Sequence, residues 1–516
     1  MRSRSLRLLL SVLSIPVSVC FGQTLDPTFD TDGKVLTPLT SGSNSIYDMV
    51  LQPDGKIVAV GYANNGTDYD MAIARYNIDG SLDMTFNSIG YDLVNFGVQD
   101  DIAYSVALQS DGKIVVSGST TNASNNTDFV LLRYNTNGTL DLSFDTDGRV
   151  ITTFGSSYET AYAVAIQSDG KIIAAGNSFS DTTFHFAMAR YKSDGSLDAS
   201  FGSGGKVTTL LNNSDQANAI KIQPDGKIIL AGTTLQPDFN NAFGVARYNT
   251  DGSLDLTFSS DGMVTTSVSP YSDYGQAMDL QADGKIVVAG KATPVGPEQF
   301  AVVRYNTDGS LDNSWNGTGM VTTAFGSNWD EARSVTVRAD GRILAGGLAS
   351  VPSQKFAMAC YNTDGTLYTG FGTGGKMTTT FGSSASIWSL IIQPDDKIVA
   401  GGFSGGGTHY DFAIARYGPA DSGIDEFDAV SNSLTVYPSP AKQTINVSYT
   451  LADASSISID LMGFDGKVIA SYVSNEHLEA GAHNHQFQLP ENLANGVYFI
   501  HVSSADGATS VKIVKE

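Results

Sequence analysis

An Asp-Gly-Lys-type turn that opens an apolar strand recurs seven times in this chain at intervals of 55 to 58 residues, at Gly55, Gly112, Gly170, Gly226, Gly284 and Gly341, with Asp396 in place of the seventh glycine. A unit of that length is too long for most solenoid repeats, whereas four short strands and their turns fill it as one propeller blade. Two further signatures keep the same beat. A Leu-Asp-x-x-aromatic type places its ring at Phe29, Phe86, Phe144, Phe201, Phe258, Trp315 and Phe371, and an Ala-Arg-Tyr-like strand ends at Tyr76, Tyr134, Tyr191, Tyr248, Tyr305, Tyr361 and Tyr417. The array begins with an aromatic signature that no Arg-Tyr strand precedes, and it ends with an Arg-Tyr strand that no aromatic signature follows. Complementary ends suit a closed ring.

The fifth copy shows how one unit reads. Strands a to d are Gly262–Thr266, Ala277–Gln281, Ile286–Gly290 and Phe300–Tyr305, each of strand length and rich in β-branched or aromatic residues. The Asp283-Gly284 pair supplies the positive φ of a tight hairpin turn. Trp315 and its counterparts read as apolar filler between blades, each contributing about 1.5–3 kcal/mol when buried. The expectation is an all-β, seven-bladed β-propeller over residues 23–417.

Residues 1–22 read as a secretory signal peptide, with Arg2, Arg4 and Arg7 ahead of an apolar stretch from Leu8 to Val19 that is too short to span a membrane. Cys20 invites a lipoprotein reading, but Val19 is bulkier than such a site prefers. Removing the segment takes the formal net charge from −23 to −26. A chain this acidic, with no basic stripe interleaved with aromatics, is a poor partner for nucleic acid, and no second apolar run is long enough to cross a bilayer. Cys360 is then the sole cysteine, in the slot where other copies carry arginine.

The three signatures in fixed order resemble the delta-60 repeat family of bacterial secreted proteins, and the resemblance covers about three quarters of the chain. After a linker at 418–432, with Pro419 and the acidic run Asp425-Glu426-Phe427-Asp428, residues 433–516 read as a small immunoglobulin-like β-sandwich of six or seven short strands. This module is similar to the type A C-terminal sorting domain of the type IX secretion system of Bacteroidetes. The match rests on Tyr437-Pro438-Ser439-Pro440-Ala441 (the family commonly has Asn where Ser439 stands), Gly463-Phe464-Asp465-Gly466-Lys467, Gly496-Val497-Tyr498-Phe499 and Lys512-Ile513-Val514-Lys515. The resemblance implies passage through the periplasm, recognition by the outer-membrane translocon, and release or attachment at the surface of a Gram-negative cell. An adhesive module that stays attached is the alternative.

Candidate chemistry gathers on the face formed by the a–b and c–d loops, which vary between copies and carry aromatics such as Tyr274 and Trp329. At the start of strand b, Asp101, Glu159, Asp215, Asp273 and Asp330 would form a ring of carboxylates for Ca²⁺ or a basic ligand, with the aromatics stacking on sugar rings. Alternatively each carboxylate caps its a–b turn. No other cofactor is evident. Arg75, Arg133, Arg190, Arg247, Arg304 and Arg416, set in apolar strands, need acidic partners from the same or the adjacent repeat. His477, His483, His485 and His501 lie in the terminal module, where three could meet around a metal. The sequence thus reads as a secreted or surface-displayed binding scaffold, with a polysaccharide hydrolase or lyase acting over the propeller channel as the alternative.

Overall fold

The computed structural model describes residues 24–418 and 434–516, apart from positions 98, 156 and 327 and the stretches 407–408, 452–453, 464–466 and 505–506. The expected signal peptide with Cys20, all but the first residue of the 418–432 linker, and the centre of the Gly463–Lys467 motif lie outside the described residues. The chain divides into two compact units, Met1–Asp421 and Ser422–Glu516.

In the first unit the strands form seven four-stranded antiparallel sheets. Blade 1 runs from Asn44–Leu51 at the centre through Ile57–Asn64 and Tyr69–Tyr76 to Tyr91–Val94 at the rim, and blades 2 to 6 repeat this order. The blade is offset by one strand from the sequence repeat: the a strand of each copy, for example Met263–Thr266, is the rim of the preceding blade, paired with Asn241–Tyr248. Blade 7 takes Ser384–Ile392, Ile398–Gly405 and Tyr410–Tyr417 from the end of the array and Lys34–Thr37 from its beginning, in a register running from Lys34↔Ala415 to Thr37↔Phe412. The ring closes by strand exchange.

Each hairpin follows from its Asp-Gly pair. Gly55 sits at φ +83°, and the Lys56 N–H donates to the Asp54 carboxylate at 3.2 Å. Asp396 adopts the same left-handed conformation, φ +68°, which aspartate enters more readily than most residues. Arg338 replaces the glutamine found before the turn in the other copies. Its buried guanidinium pairs with the Asp396 carboxylate across the blade boundary. Two departures from the repeat therefore answer each other.

The aromatic pegs are fully enclosed. Phe29, for example, shares one core with Ile46 and Ile57 of blade 1 and with Val399 and Phe412 of blade 7. Every strand arginine lies over a peg ring, as Arg190 does over Phe201 at 4.3 Å. The same guanidinium pairs with the aspartate of its own Leu-Asp signature and donates to a turn carbonyl of the next blade. Arg247 meets Asp255 at 2.7 Å and the Thr307 carbonyl at 2.5 Å, and Arg416 closes the ring on Asp26 at 2.8 Å and on the Ile78 carbonyl at 2.5 Å. The turn lysine supplies a second cation, as Lys227 does to Asp255 at 2.9 Å. Blade 6 departs from this scheme on all counts. Cys360 is buried in the arginine slot, Tyr368 stands where the aspartate should be, and Arg342 lies over the Tyr368 ring at 3.4 Å.

In the second unit Thr435–Tyr437, Thr444–Leu451 and Gly481–Gln488 form one sheet, and Val468–Leu478, Ser455–Met462, Gly496–Ser504 and Gly507–Lys515 the other. Ile445, Val447, Ile459, Leu461, Ile500 and Val502 alternate inward to make the core.

Candidate functional site

The carboxylates expected on the open face are enclosed. Asp101, Glu159, Asp215, Asp273 and Asp330 are at most 1 % exposed, and each accepts a backbone N–H from the a–b turn. The donors are Phe96 at 2.7 Å, Phe154 at 2.6 Å, Leu211 at 2.5 Å, Val268 at 2.7 Å and Phe325 at 2.7 Å. Burial raises the pKa values of Asp101, Asp215 and Asp330. Each carboxylate thus caps its a–b turn, and Asp215 also lines a groove on this face. Among the described residues no group of three or more His, Cys, Asp or Glu side chains is placed to hold a metal ion.

The open chemistry lies one step further along the same strands. Each innermost strand carries a β-bulge, between Ile46 and Asp48 in blade 1 and at the matching place in the others. The extra residue in blades 1 to 7 is Tyr47, Tyr104, Tyr162, Asn218, Gln276, Arg333 and Trp388. A bulge lets one residue drop out of the ladder and re-aims its side chain. All seven line the central bore, a cavity of about 470 Å³.

The rings of blades 7, 1, 2 and 3 touch in sequence. Trp388 meets Tyr47 edge-on at 4.8 Å between centroids, Tyr47 stacks on Tyr104 at 5.2 Å, and Tyr104 meets Tyr162 at 4.9 Å. Arg333 closes the arc, its guanidinium 4.0 Å over Trp388, held by Glu331 at 3.1 Å and the Ser386 hydroxyl at 3.2 Å. Burial pushes the Tyr47, Tyr104 and Tyr162 phenols up, so they stay neutral donors. Asp48, next to the first bulge, is taken up by structure: it accepts from the Met49 N–H at 2.8 Å, Ser389 Oγ at 3.0 Å, Ser105 Oγ at 2.9 Å and the Val106 N–H at 3.0 Å, tying blades 7, 1 and 2 together.

Above blades 3 to 5 the bore opens into a groove of about 530 Å³ on the variable-loop face, lined by Tyr158, Phe184, Asn241 and Tyr274. Bore and groove share Tyr162, Gln216, Asn218 and Gln276. Tyr274 carries the Lys291 ammonium 4.8 Å over its ring, and that lysine is tied to Glu298 at 3.0 Å. Trp329 is 44 % exposed but does not line the groove. The bore residues escape strand alternation, because a bulge shifts the pattern by one. A fixed offset could have found them: each stands seven residues before its turn aspartate.

In the second unit, residues from the two ends of the module form one edge. The Ala441 N–H donates to the Val514 carbonyl at 2.8 Å, the Glu516 N–H to the Ala441 carbonyl at 3.0 Å, and the Val514 N–H to Ser439 Oγ at 3.1 Å. Lys515 pairs with Gly496 and Lys512 with Phe499, and the Tyr498 hydroxyl donates to the Ala494 carbonyl at 2.9 Å. Ala441 is fully buried, whereas Tyr437, leading into Pro438 and Pro440, is 49 % exposed. Three of the four histidines have other contacts. His483 and His485 stack on Tyr449 at 5.5 and 5.7 Å, and His501 Nδ1 bonds Ser510 Oγ at 2.8 Å.

A family model described as domain of unknown function (DUF5122) beta-propeller matches residues 52–86, 109–144, 167–201, 223–258, 281–314, 338–371 and 393–425, and one described as secretion system C-terminal sorting domain matches 435–516. No curated protein matches the chain. Among solved structures, the polysaccharide lyase Uly1 is similar at 11 % identity with a TM-score of 0.40, covering 73 % of this chain and 90 % of its own. Sqt1 from Chaetomium thermophilum aligns at 9 % identity and 0.36, covering 74 % and 97 %. PorZ, a surface component of the type IX secretion system of Porphyromonas gingivalis, aligns at 9 % identity and 0.25, covering 91 % and 81 %. Likeness this distant carries nothing about ligand or reaction. Among the described residues no helix is long and apolar enough to cross a membrane.

Proposed function

Since the chain is a seven-repeat DUF5122 β-propeller that ends in a secretion-system C-terminal sorting domain, we propose that it is a glycan-binding scaffold. In this reading the type IX machinery delivers it to the outer-membrane surface or the medium of a Bacteroidetes-type bacterium. The observation that carries the binding half is the groove on the variable-loop face, where Tyr158, Phe184 and Tyr274 alternate with amide and hydroxyl groups on a rigid ring. Recognition sites are concave and apolar with a few fixed polar groups, and this groove has that composition. Of the residues first singled out for binding, Tyr274 and Asp215 have a place in it, and Trp329 stands exposed on a neighbouring loop. The export half is supported by the joined edge of Ala441, Gly496 and Lys515, which offers the translocon one surface made from both ends of the module.

Two experiments test the proposal. The purified chain should bind one glycan class on an array without degrading it, and turnover of any polymer would replace the scaffold reading with a lyase or hydrolase. Deleting residues 434–516 in a type IX-competent host should abolish surface delivery, and continued delivery would remove the export half.

A further inference from the structure

The seven bulge residues differ between blades, and their differences are sorted in space. The aromatic residues occupy four consecutive blades, 7 and 1 to 3, and the hydrogen-bonding residues Asn218, Gln276 and Arg333 occupy blades 4 to 6. Side chains that merely filled the bore would have no cause to be sorted by side, and they leave a cavity of about 470 Å³ between them. The bore therefore has one wall of ring faces and edges and one wall of amides and a guanidinium.

Two donors here have no partner in the protein. Trp388 Nε1 and Arg333 Nε are both enclosed and unbonded, although enclosed polar groups are nearly always satisfied. The charges, by contrast, are all answered. Arg333 is paired with Glu331, Lys221 at the wall meets Asp279 at 2.8 Å, and Asp48 receives four donors. The site thus offers stacking surface and amides, but no unpaired charge, within a chain of formal net charge −23.

We infer that the bore is an end-on binding site for a neutral saccharide, whose terminal pyranose enters between the Tyr47–Tyr104–Tyr162–Trp388 arc and the Asn218–Gln276–Arg333 wall while the rest of the glycan lies in the groove over blades 3 to 5. This rests on the glycan-binding reading and adds where the chain end sits and which sugars are admitted. A pyranose has an apolar C–H face for the aromatic arc and a rim of hydroxyls for the amides. A uronate or sulfated sugar would bring a charge that nothing in the bore is free to meet, and it would be repelled by the acidic chain.

The test uses the full chain, with neutral and uronate oligosaccharides on the array followed by titration calorimetry. A neutral oligosaccharide should bind about tenfold or more tightly than the matching uronate, and Trp388→Ala should weaken it by about tenfold or more, as loss of a central aromatic anchor does. Asn218→Trp plugs the bore; with an unchanged melting midpoint it should abolish binding, whereas Tyr274→Ala in the groove should weaken long oligosaccharides but spare disaccharides. Glycan binding that survives in folded Asn218→Trp, or a preference for uronates, overturns the bore site and leaves the scaffold reading standing. A chain that binds nothing on the array overturns both.

Discussion

Cys360→Arg restores the residue that the other six copies carry, and it should destabilise the propeller. In blade 5 the corresponding Arg304 has Asp312 at 2.8 Å, the Thr363 carbonyl at 3.0 Å and the Trp315 ring at 5.4 Å. At position 360 the acid is replaced by Tyr368, whose ring already carries the Arg342 guanidinium. The Phe371 ring remains beside it. A buried charge left without its partner costs about 3–5 kcal/mol, and the surviving cation–π contact returns about 0.5–1 kcal/mol. The net loss is about 3 kcal/mol, and the fully buried site packed against Phe371 and Ile387 gives the longer side chain no room to escape it. Adding Tyr368→Asp supplies the acid, so the double variant should recover about half of the loss or more. Urea unfolding followed by tryptophan fluorescence measures both variants. The reasoning fails if Cys360→Arg unfolds within about 0.5 kcal/mol of the parent, or if the double variant is no more stable than the single one.

Asp396→Gly removes a left-handed aspartate yet should destabilise by about 1–3 kcal/mol, because it strands the buried Arg338 guanidinium; Arg338→Gln added to it should restore stability, and urea midpoints decide. Burial works against ionisation of Asp26 and Asp312, but Thr28 and Ser314 hydroxyls and the neighbouring cations hold both at about 2, and for Asp198 the Ser200 hydroxyl leads to the same value. Unfolded aspartates titrate near about 3.9, so this stability is complete above that pH and is lost as pH falls through about 2; melting midpoints should drop steeply between these values and less so for Asp198→Asn. Ala441→Arg, in a fully buried position of the joined edge, should separate the Pro438–Ala441 segment from the terminal strand and reduce surface delivery in a type IX-competent host without changing propeller melting; unchanged delivery would show that the edge is not what the translocon reads.

The blade count and the hairpins were legible because an Asp-Gly turn states its own φ, and seven of them state the period. The need of each strand arginine for an acid was legible from burial alone, and the Leu-Asp signature supplies it. That the same guanidinium reaches the next blade's turn was not, since the contact spans about sixty residues, as between Arg133 and Ser193. The carboxylates stand at the expected strand ends, but the sequence leaves open whether they cap the turn or face a ligand, because an aspartate that accepts a backbone N–H and one that faces a ligand look alike in sequence. Tyr47 and its six counterparts went unnoticed for a different reason. A bulge breaks the period of two on which strand reading depends, and the signal that remains, a large or polar residue between small ones such as Ala103 and Ser105, is a weak one.

The strand exchange in blade 7 also sets the order in which the ring can be completed. Lys34–Thr37 is made among the first strands, but its partner Tyr410–Tyr417 lies roughly 380 residues later, a contact of very high sequence separation and correspondingly slow to form. Until then blade 1 and the nascent blade 7 each present an unsatisfied flank, and every chain cut short before residue 410 keeps both. Incomplete chains are therefore open arcs with two adhesive ends, suited to joining one another head to tail. Joining Lys34–Ala415 at the last step converts such an arc into a particle with no end to extend, so the N-terminal strand acts as the chain's own terminator of polymerisation.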